Sequence, residues 1–202
     1  MKIGTLFIIS APSGAGKTSL VAKILTLISN IQASISHTTR PCRPGEINGV
    51  NYHFVDVDTF RTMITEHLFL EHASVFDNYY GTSKQWVKDT LAAGTDVILE
   101  IDWQGAEQAR KQFPESCSIF ILPPSINALE QRLKTRGQDD HDVIATRTAA
   151  AQEEMRHCVD ADYVVINDVF EKACDQLENI IYAQRCRLSA IRDSDVLQNL
   201  LS

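Results

Sequence analysis

The chain has 202 residues, 44% of them hydrophobic, and a net charge of −7. This length and composition allow one domain with a buried core, and no apolar stretch approaches the roughly 20 residues that span a bilayer, so we expect no membrane partner. The acidic balance argues against a nucleic-acid partner, because duplex binding requires a basic face that neutralises phosphates.

The five cysteines are an odd number and include no C-x-x-C pair. This pattern argues against a disulfide framework and a structural zinc site, and it favours a reducing compartment. The first residues lead directly into a short apolar run, so we expect no signal peptide and a cytoplasmic location. We assign no catalytic role to any cysteine.

Strand-like and helix-like segments alternate along the chain. We predict strands at 6–9, 31–36, 96–101, 118–122 and 163–166, and helices at 17–28, 104–113, 126–136 and 170–188. This alternation is typical of a parallel sheet with crossover helices. Several predicted strands are continuous apolar runs, which indicates a sheet covered on both faces. The predicted fold class is therefore α/β, a three-layer sandwich around a central parallel sheet.

A phosphate-binding loop follows the first predicted strand. Gly14 and Gly16 let the backbone curl so that N–H groups face anionic oxygens, and the next helix adds the positive end of its dipole. Lys17 is expected to reach the β- and γ-phosphates of a nucleotide, and the Thr18 hydroxyl can bind Mg²⁺. The strict pattern has Gly where this chain has Ala11, a position that we expect to need only a small residue. The predicted loop comprises Ala11, Pro12, Ser13, Gly14, Ala15, Gly16, Lys17 and Thr18.

Two stretches interrupt the alternation. Residues 40–49 contain two prolines and two glycines, which exclude regular structure, and a short helix capped near Asp58 and polar strands follow. We predict an inserted subdomain at 36–90. The charged segment 126–158 resembles a mobile helical hairpin over an active site, although an ordinary solvated helix pair is the alternative. Segments 1–35, 91–125 and 159–202 then form the core.

Two features of the insertion point to a nucleotide acceptor. Arg40 and Arg43 lie in a proline-bracketed loop, where their guanidinium groups can converge on one phosphate. Glu71 ends an apolar run and is expected to face a cleft. Its carboxylate can accept from guanine N1–H and the N2 amino group, whereas adenine has no donor at N1. We therefore predict that Glu71 selects the base.

Other polar residues can complete this site. Tyr52 and Tyr80 supply neutral donors, and the hydroxyls of Ser36 and Thr82 can donate to guanine O6. Asp102 follows a strand at its carboxyl end, where open α/β sheets bind ligands. Taken singly, each residue is more often part of a surface ion pair or a turn, and only their combination is specific.

Over nearly its whole length the chain resembles the bacterial type of guanylate kinase, a family of nucleoside-monophosphate kinases. Its most specific motif is Thr38-Thr39-Arg40-x-x-Arg43-x-Gly45-Glu46. The resemblance is carried by residues 10–18, 36–46, 78–82, 99–105 and 136–138.

The resemblance implies transfer of the γ-phosphoryl group of ATP to GMP and, we expect, to dGMP, with Mg²⁺ as cofactor, in purine nucleotide metabolism. It also implies an inserted GMP-binding subdomain and a helical lid. In this family the positions that hold GMP match Ser36, Arg40, Arg43, Tyr52, Glu71, Tyr80, Thr82 and Asp102. Positions matching Arg136 and Arg147 lie in the lid and contact the transferring phosphate, and the position matching Asn167 lies near adenine. Thr18 is the expected Mg²⁺ ligand, with Glu100 or Asp102 acting through water.

The implied mechanism needs no general base, because the attacking oxygen belongs to an ionised phosphate. Catalysis is assigned to Lys17, Arg40, Arg136 and Arg147. One alternative is a related kinase for another phosphorylated acceptor, such as a ribose bisphosphate, which would have no use for Glu71 and Thr82 as base readers. The other is a peptide-binding module, but such modules typically lack the loop lysine. Whether the chain forms a homo-oligomer stays open.

Overall fold

The computed structural model describes residues 3–75, 77–135, 141–192 and 195–201. The described strands are β1 Leu6–Ser10, β2 Ile31–Ala33, β3 His37–Thr38, β4 His53–Phe54, β5 Phe69–Val75, β6 Asn78–Ser83, β7 Asp96–Glu100, β8 Cys117–Leu122 and β9 Tyr163–Ile166. The described α-helices are α1 Lys17–Leu27, α2 Val57–Thr65, α3 Lys84–Ala92, α4 Trp103–Gln112, α5 Ile126–Thr135, α6 His141–Met155, α7 Phe170–Arg185, α8 Leu188–Ile191 and α9 Asp195–Leu201. A 3₁₀ helix, Arg156–Asp160, lies between α6 and β9.

The main sheet has five parallel strands in the order β2-β7-β1-β8-β9. Its central strand β1 is buried throughout, and its side chains alternate between two hydrophobic clusters. Phe7 and Ile9 pack with α1 and α7, whereas Leu6 and Ile8 pack with α3 and α4. Each buried side chain of this size contributes roughly 1.5–3 kcal/mol through removal from water. The predicted α/β sandwich is confirmed.

The second sheet has four strands in the order β4-β3-β6-β5 and is built from residues 37–83. Its core is a stack of aromatic rings, with Phe60 4.5 Å from Phe69 and 5.5 Å from Tyr79 between ring centroids. Helix α2 is capped by Asp56, which accepts from the Thr59 N–H at 2.7 Å, two residues before the expected Asp58. This polar segment therefore forms a small sheet whose packing depends on a few aromatic rings.

Three details differ from the sequence-based expectations. The strand predicted at 31–36 ends at Ala33, because the chain then crosses to the second sheet, where His37 pairs with Gly81. The predicted helix at 170–188 ends at Arg185, since Arg187 has extended backbone angles. Helix α3 was not predicted, and it buries Val87 and Leu91 against the main sheet. The predicted domain boundaries, including residue 90, stay predictions.

Among the described helices, none is both long enough and apolar enough to cross a membrane.

Candidate active site

The phosphate-binding loop connects β1 to α1 as predicted. Gly14 and Gly16 have φ angles of 90° and 92°, in the left-handed region that favours glycine. Ala11 is not among the residues with positive φ, so an L-residue fits at that position without strain. Gly16 caps α1, whose first turn carries no acidic side chain. The positive end of the helix is therefore available to an anion.

Lys17 reaches the carboxyl ends of the neighbouring strands. Its Nζ donates to the carbonyl of Ile101 at 2.9 Å, directly beyond β7. Burial lowers the pKa of Lys17, while the nearby carboxylates of Glu100 and Asp102 raise it. The ammonium group thus lies between the phosphate loop and the acidic edge of the sheet.

A cavity of about 150 Å³ lies between the two sheets. Its walls bring together residues that are far apart in the sequence: Ser36, Tyr52, Glu71, Tyr80, Glu100 and Asp102. The Ser36 and Thr82 hydroxyl oxygens are 3.4 Å apart. A neighbouring cavity of about 750 Å³ contains Lys17 and Thr18 and shares Ser36, Tyr52 and Glu100 with the first. The two cavities therefore connect most of the predicted acceptor residues to the phosphate loop.

Glu71 is the most strongly perturbed acid of this site. It is 3% exposed, and burial raises its pKa to about 7 although the Thr82 hydroxyl and N–H donate to its carboxylate. The negative charge of Asp102 also raises this pKa. At neutral pH both the charged and the neutral form of this carboxyl group are therefore populated. A ligand with two N–H donors would favour the charged form.

Arg40 is held by a carboxylate that the sequence did not identify as its partner. Its Nη1 and Nη2 donate to the two oxygens of Glu46 at 3.0 and 2.7 Å, and Nη1 also donates to the Pro41 carbonyl at 2.7 Å. Glu46 accepts from the Arg43 N–H at 2.8 Å as well, and this pairing lowers the pKa of Glu46. The Arg43 side chain is exposed. The loop is thus organised around Glu46.

Asp102 has a structural contact beside its predicted ligand role. One of its oxygens, Oδ1, accepts from the Gly105 N–H at 2.9 Å and caps α4. The other, Oδ2, is 3.5 Å from Gln104 Nε2. The carboxylate is therefore fixed by the helix that follows it, and it lines the acceptor cavity.

Asn167, predicted to lie near adenine, is buried behind the phosphate loop. Its Nδ2 donates to the Ala15 carbonyl at 2.8 Å. Arg132 of α5 donates to the Asn167 carbonyl at 2.8 Å and to the Ala15 carbonyl at 3.4 Å. Arg132 has no predicted role, because one basic residue in a charged helix carries no signal of a partner 117 positions away.

Helices α5 and α6 lie in the segment predicted to be the lid, 126–158. Arg136 lies outside the described residues, whereas Arg147 lies on α6 and is half-buried. Glu154, near the end of α6, accepts a hydrogen bond from the Ser13 N–H, and burial raises its pKa. Glu154 was not predicted as a site residue, since a glutamate in a polar helix usually faces solvent. This contact brings α6 against the phosphate loop.

The residues at the loop fit a Mg²⁺ ion that accompanies a nucleotide. Mg²⁺ prefers oxygen donors, usually keeps several waters, and takes only one or two protein ligands beside phosphates. Thr18, which is exposed, and Glu100, which is half-buried, line the same cavity. In the described part of the chain, no group of three or more His, Cys, Asp or Glu side chains could hold a metal by itself. This donor set suits an ion bound mainly through substrate phosphates.

Comparisons with known proteins agree with this arrangement. Residues 3–184 match the family model described as guanylate kinase. The chain is 56% identical to the guanylate kinase of Saccharophagus degradans over 201 residues, which cover 98% of each chain. It is 57% identical to that of Alcanivorax borkumensis, over 98% of this chain and 97% of the other. The crystal structure of guanylate kinase from Anaplasma phagocytophilum matches with a TM-score of 0.78 at 32% identity, covering 94% of this chain and 90% of the other.

Proposed function

The chain belongs to the guanylate kinase family, and on that premise we propose how its residues transfer the γ-phosphoryl group of ATP to GMP. The enzyme is an ATP:GMP phosphotransferase that produces ADP and GDP. The observation that carries the residue roles below is the position of buried Glu71 in a cavity that opens toward Lys17.

The donor site is the phosphate loop. Backbone N–H groups of the loop and the N-terminus of α1 bind the ATP phosphates, and Lys17 neutralises charge on the β- and γ-phosphates. To do so, its ammonium group exchanges the Ile101 carbonyl for phosphate oxygens. Asn167 and Arg132 hold the Ala15 carbonyl and thereby fix the loop from behind. We also propose that Asn167 lies near the adenine of ATP.

The acceptor phosphate is assigned to Arg40 and Arg43, with Tyr52 and Tyr80. A guanidinium group has five N–H donors, and Arg40 uses three of them for Glu46 and Pro41. The Tyr80 hydroxyl accepts from this guanidinium as well, so a phosphate would take over the donor that bonds Tyr80 together with the one remaining N–H. The ion pair with Glu46 therefore orients Arg40 and leaves its capacity to bind GMP.

The guanine base is assigned to Glu71, Ser36, Thr82 and Asp102. The Glu71 carboxylate accepts from N1–H and the N2 amino group, and the Ser36 hydroxyl donates to O6. The Thr82 hydroxyl, which donates to Glu71 without GMP, would turn its single O–H from that carboxylate to O6. AMP would place an unprotonated N1 against a buried carboxylate, which leaves both groups without a partner. The same residues recognise only base and phosphate, which dGMP shares, so we propose dGMP as a second acceptor.

Phosphoryl transfer then proceeds by alignment and charge neutralisation. Lys17, Arg136 and Arg147 are assigned to the charge on the phosphoryl group in transit, and Arg40 holds the acceptor against repulsion. Mg²⁺, held by Thr18 and through water by Glu100 or Asp102, would add charge neutralisation on the phosphates. Closure of the lid would exclude water, which otherwise hydrolyses ATP. We further propose that the enzyme acts in the cytoplasm.

The test is coupled ADP release with GMP, dGMP, IMP and AMP as acceptors in turn. We expect efficient turnover with GMP and dGMP and little with AMP. A Glu71→Gln variant should lose this preference, and Glu66→Gln, an exposed carboxylate of the same subdomain, serves as the control. Equal turnover with GMP and AMP in the unaltered enzyme would overturn the assignment of the base site.

A further inference from the structure

Strand β5, which carries Glu71, lies at the edge of the second sheet and is bound there by two glutamines of α4. Gln108 forms a pair of hydrogen bonds with the backbone of His72: its Nε2 donates to the carbonyl at 2.8 Å, and its Oε1 accepts from the N–H at 3.1 Å. Gln112 Nε2 donates to the Leu70 carbonyl at 2.6 Å. These three bonds bracket Glu71 on both sides along the strand.

The same face of α4 also fits around the Glu71 side chain. Gly105, Gln108 and Gln112 are spaced by three and four residues, which places them on one side of the helix. A Cβ atom at Gly105 would lie 2.5 Å from Glu71 Oε2, so only glycine leaves room for the carboxylate there. The N-cap of this helix is Asp102, the second carboxylate of the acceptor cavity.

Glu71 pairs with Thr82 of β6, but the pairing is irregular immediately before it. The register between β5 and β6 shifts between Phe69 and Glu71, which marks a β-bulge or irregularity at this position. Bulges release the local ladder and change the direction of side chains. Gln112 bonds the carbonyl of Leu70, the residue that the pairing skips, and Gln108 bonds His72 directly after Glu71. The two glutamines therefore add a constraint on the outer edge of β5 where its pairing with β6 is irregular.

We propose that Gln108 and Gln112 are positioning residues for base selection, since they hold β5 so that the Glu71 carboxylate meets both guanine donors. This inference rests on the proposed role of Glu71. Because α4 packs on the main sheet, these bonds also attach the guanine-binding part of the acceptor site to the main sheet. The Arg40 loop joins β3 to β4, on the other side of the second sheet, and is not held by these bonds.

The experiment compares Gln108→Met, Gln112→Met and the double variant with Gln85→Met. Methionine keeps the length and helix propensity of glutamine but removes its amide. Gln85 is exposed on α3, and its side-chain amide donates to Asp89 on its own helix rather than to another described element, so its replacement is a matched control. Thermal unfolding and amide hydrogen exchange at His72 report the fold and the loss of the bonds.

We expect Gln108→Met to raise KM for GMP roughly tenfold, the effect of losing two hydrogen bonds, with kcat and KM for ATP nearly unchanged. The preference for GMP over IMP, which lacks the N2 amino group, should fall, and exchange at the His72 amide should become faster. Gln112→Met should show a smaller change in the same direction. Gln85→Met should match the unaltered enzyme.

Combination with Glu71→Gln tests whether the glutamines act through that carboxylate. In the Glu71→Gln background, Gln108→Met should cause no further loss of GMP-over-IMP preference. An additive loss would overturn the inference, and so would unchanged GMP kinetics despite faster His72 exchange. If Glu71→Gln itself keeps the preference, the proposed base site and this inference both fail. If only Gln108→Met and Gln112→Met keep it, the inference alone fails.

Discussion

Replacing Glu71 by Gln is expected to stabilise the folded enzyme at alkaline pH while it removes the selection for guanine. The carboxyl group is 3% exposed, and burial raises its pKa from 4.5 to about 7. The charged form is the one that guanine requires and the one that the empty fold disfavours. Function and stability therefore oppose each other at this residue.

The effect on stability follows from proton linkage. Because the pKa is higher in the folded than in the unfolded chain, the stabilisation from this group is complete below pH 4.5 and is lost as pH rises through about 7. The difference between the two pKa values corresponds to on the order of 3 kcal/mol. Glutamine stays neutral, can accept from Thr82 and can donate toward Asp102. The variant should therefore match the unaltered enzyme near pH 4.5 and exceed it at about pH 8 by up to that amount.

The effect on activity has the opposite sign. Glutamine replaces one acceptor by a donor that faces a guanine N–H, and two mismatched buried groups cost roughly 1–3 kcal/mol each. We expect kcat/KM for GMP to fall by roughly 10²–10⁴, while the small AMP activity stays level or rises. In the unaltered enzyme, KM for GMP should rise as pH falls below about 7, and this dependence should disappear in the variant.

Denaturant unfolding at the two pH values and coupled ADP release measure both effects. Glu66→Gln controls for the loss of a surface carboxylate and should change neither. The reasoning is refuted if Glu71→Gln lowers stability at about pH 8 and keeps the preference for GMP over AMP. That outcome would make Glu71 a structural carboxylate.

Further substitutions test the other parts of the site and the fold. Lys17→Ala should nearly abolish turnover, with a barrier raised by roughly 3–4 kcal/mol and an unchanged unfolding curve; near-normal turnover at saturating ATP would remove Lys17 from the transfer step. Arg40→Ala and Arg43→Ala should weaken GMP binding more than ATP binding in separate titrations, and Arg40→Lys should not rescue it because lysine lacks the planar fork. Asp96→Ala removes the buried carboxylate that pairs with Arg185 Nε at 2.7 Å and accepts from the Thr5 N–H at 2.7 Å, and should cost roughly 3–5 kcal/mol in denaturant unfolding with kcat unchanged.

Much of the fold and the donor site could be predicted from the sequence, because their signals are local. The phosphate loop needs two glycines with positive φ between a buried strand and a helix start, and each requirement is met within ten residues of Gly14. Continuous apolar runs identified the strands of the main sheet, since a strand covered on both faces has no polar alternation. The insertion was recognisable from its prolines and glycines and from the polar strands that follow them, but helix α3 was not, because Val87 and Leu91 are too few to show a period.

The acceptor site was predicted residue by residue, but its geometry was decided by the tertiary structure. Nothing near Glu71 in the sequence indicates that burial raises its pKa. Nor does the sequence indicate that Gln108 binds His72, the residue after Glu71 on β5, which lies 36 positions away. The bidentate pair between Arg40 and Glu46 is close in sequence but depends on the turn between them. A motif fixes which groups are present, since that requires only neighbouring residues. The charge state and the orientation of these side chains depend on burial and on partners from distant segments. Only the packing of the sheets and helices supplies both.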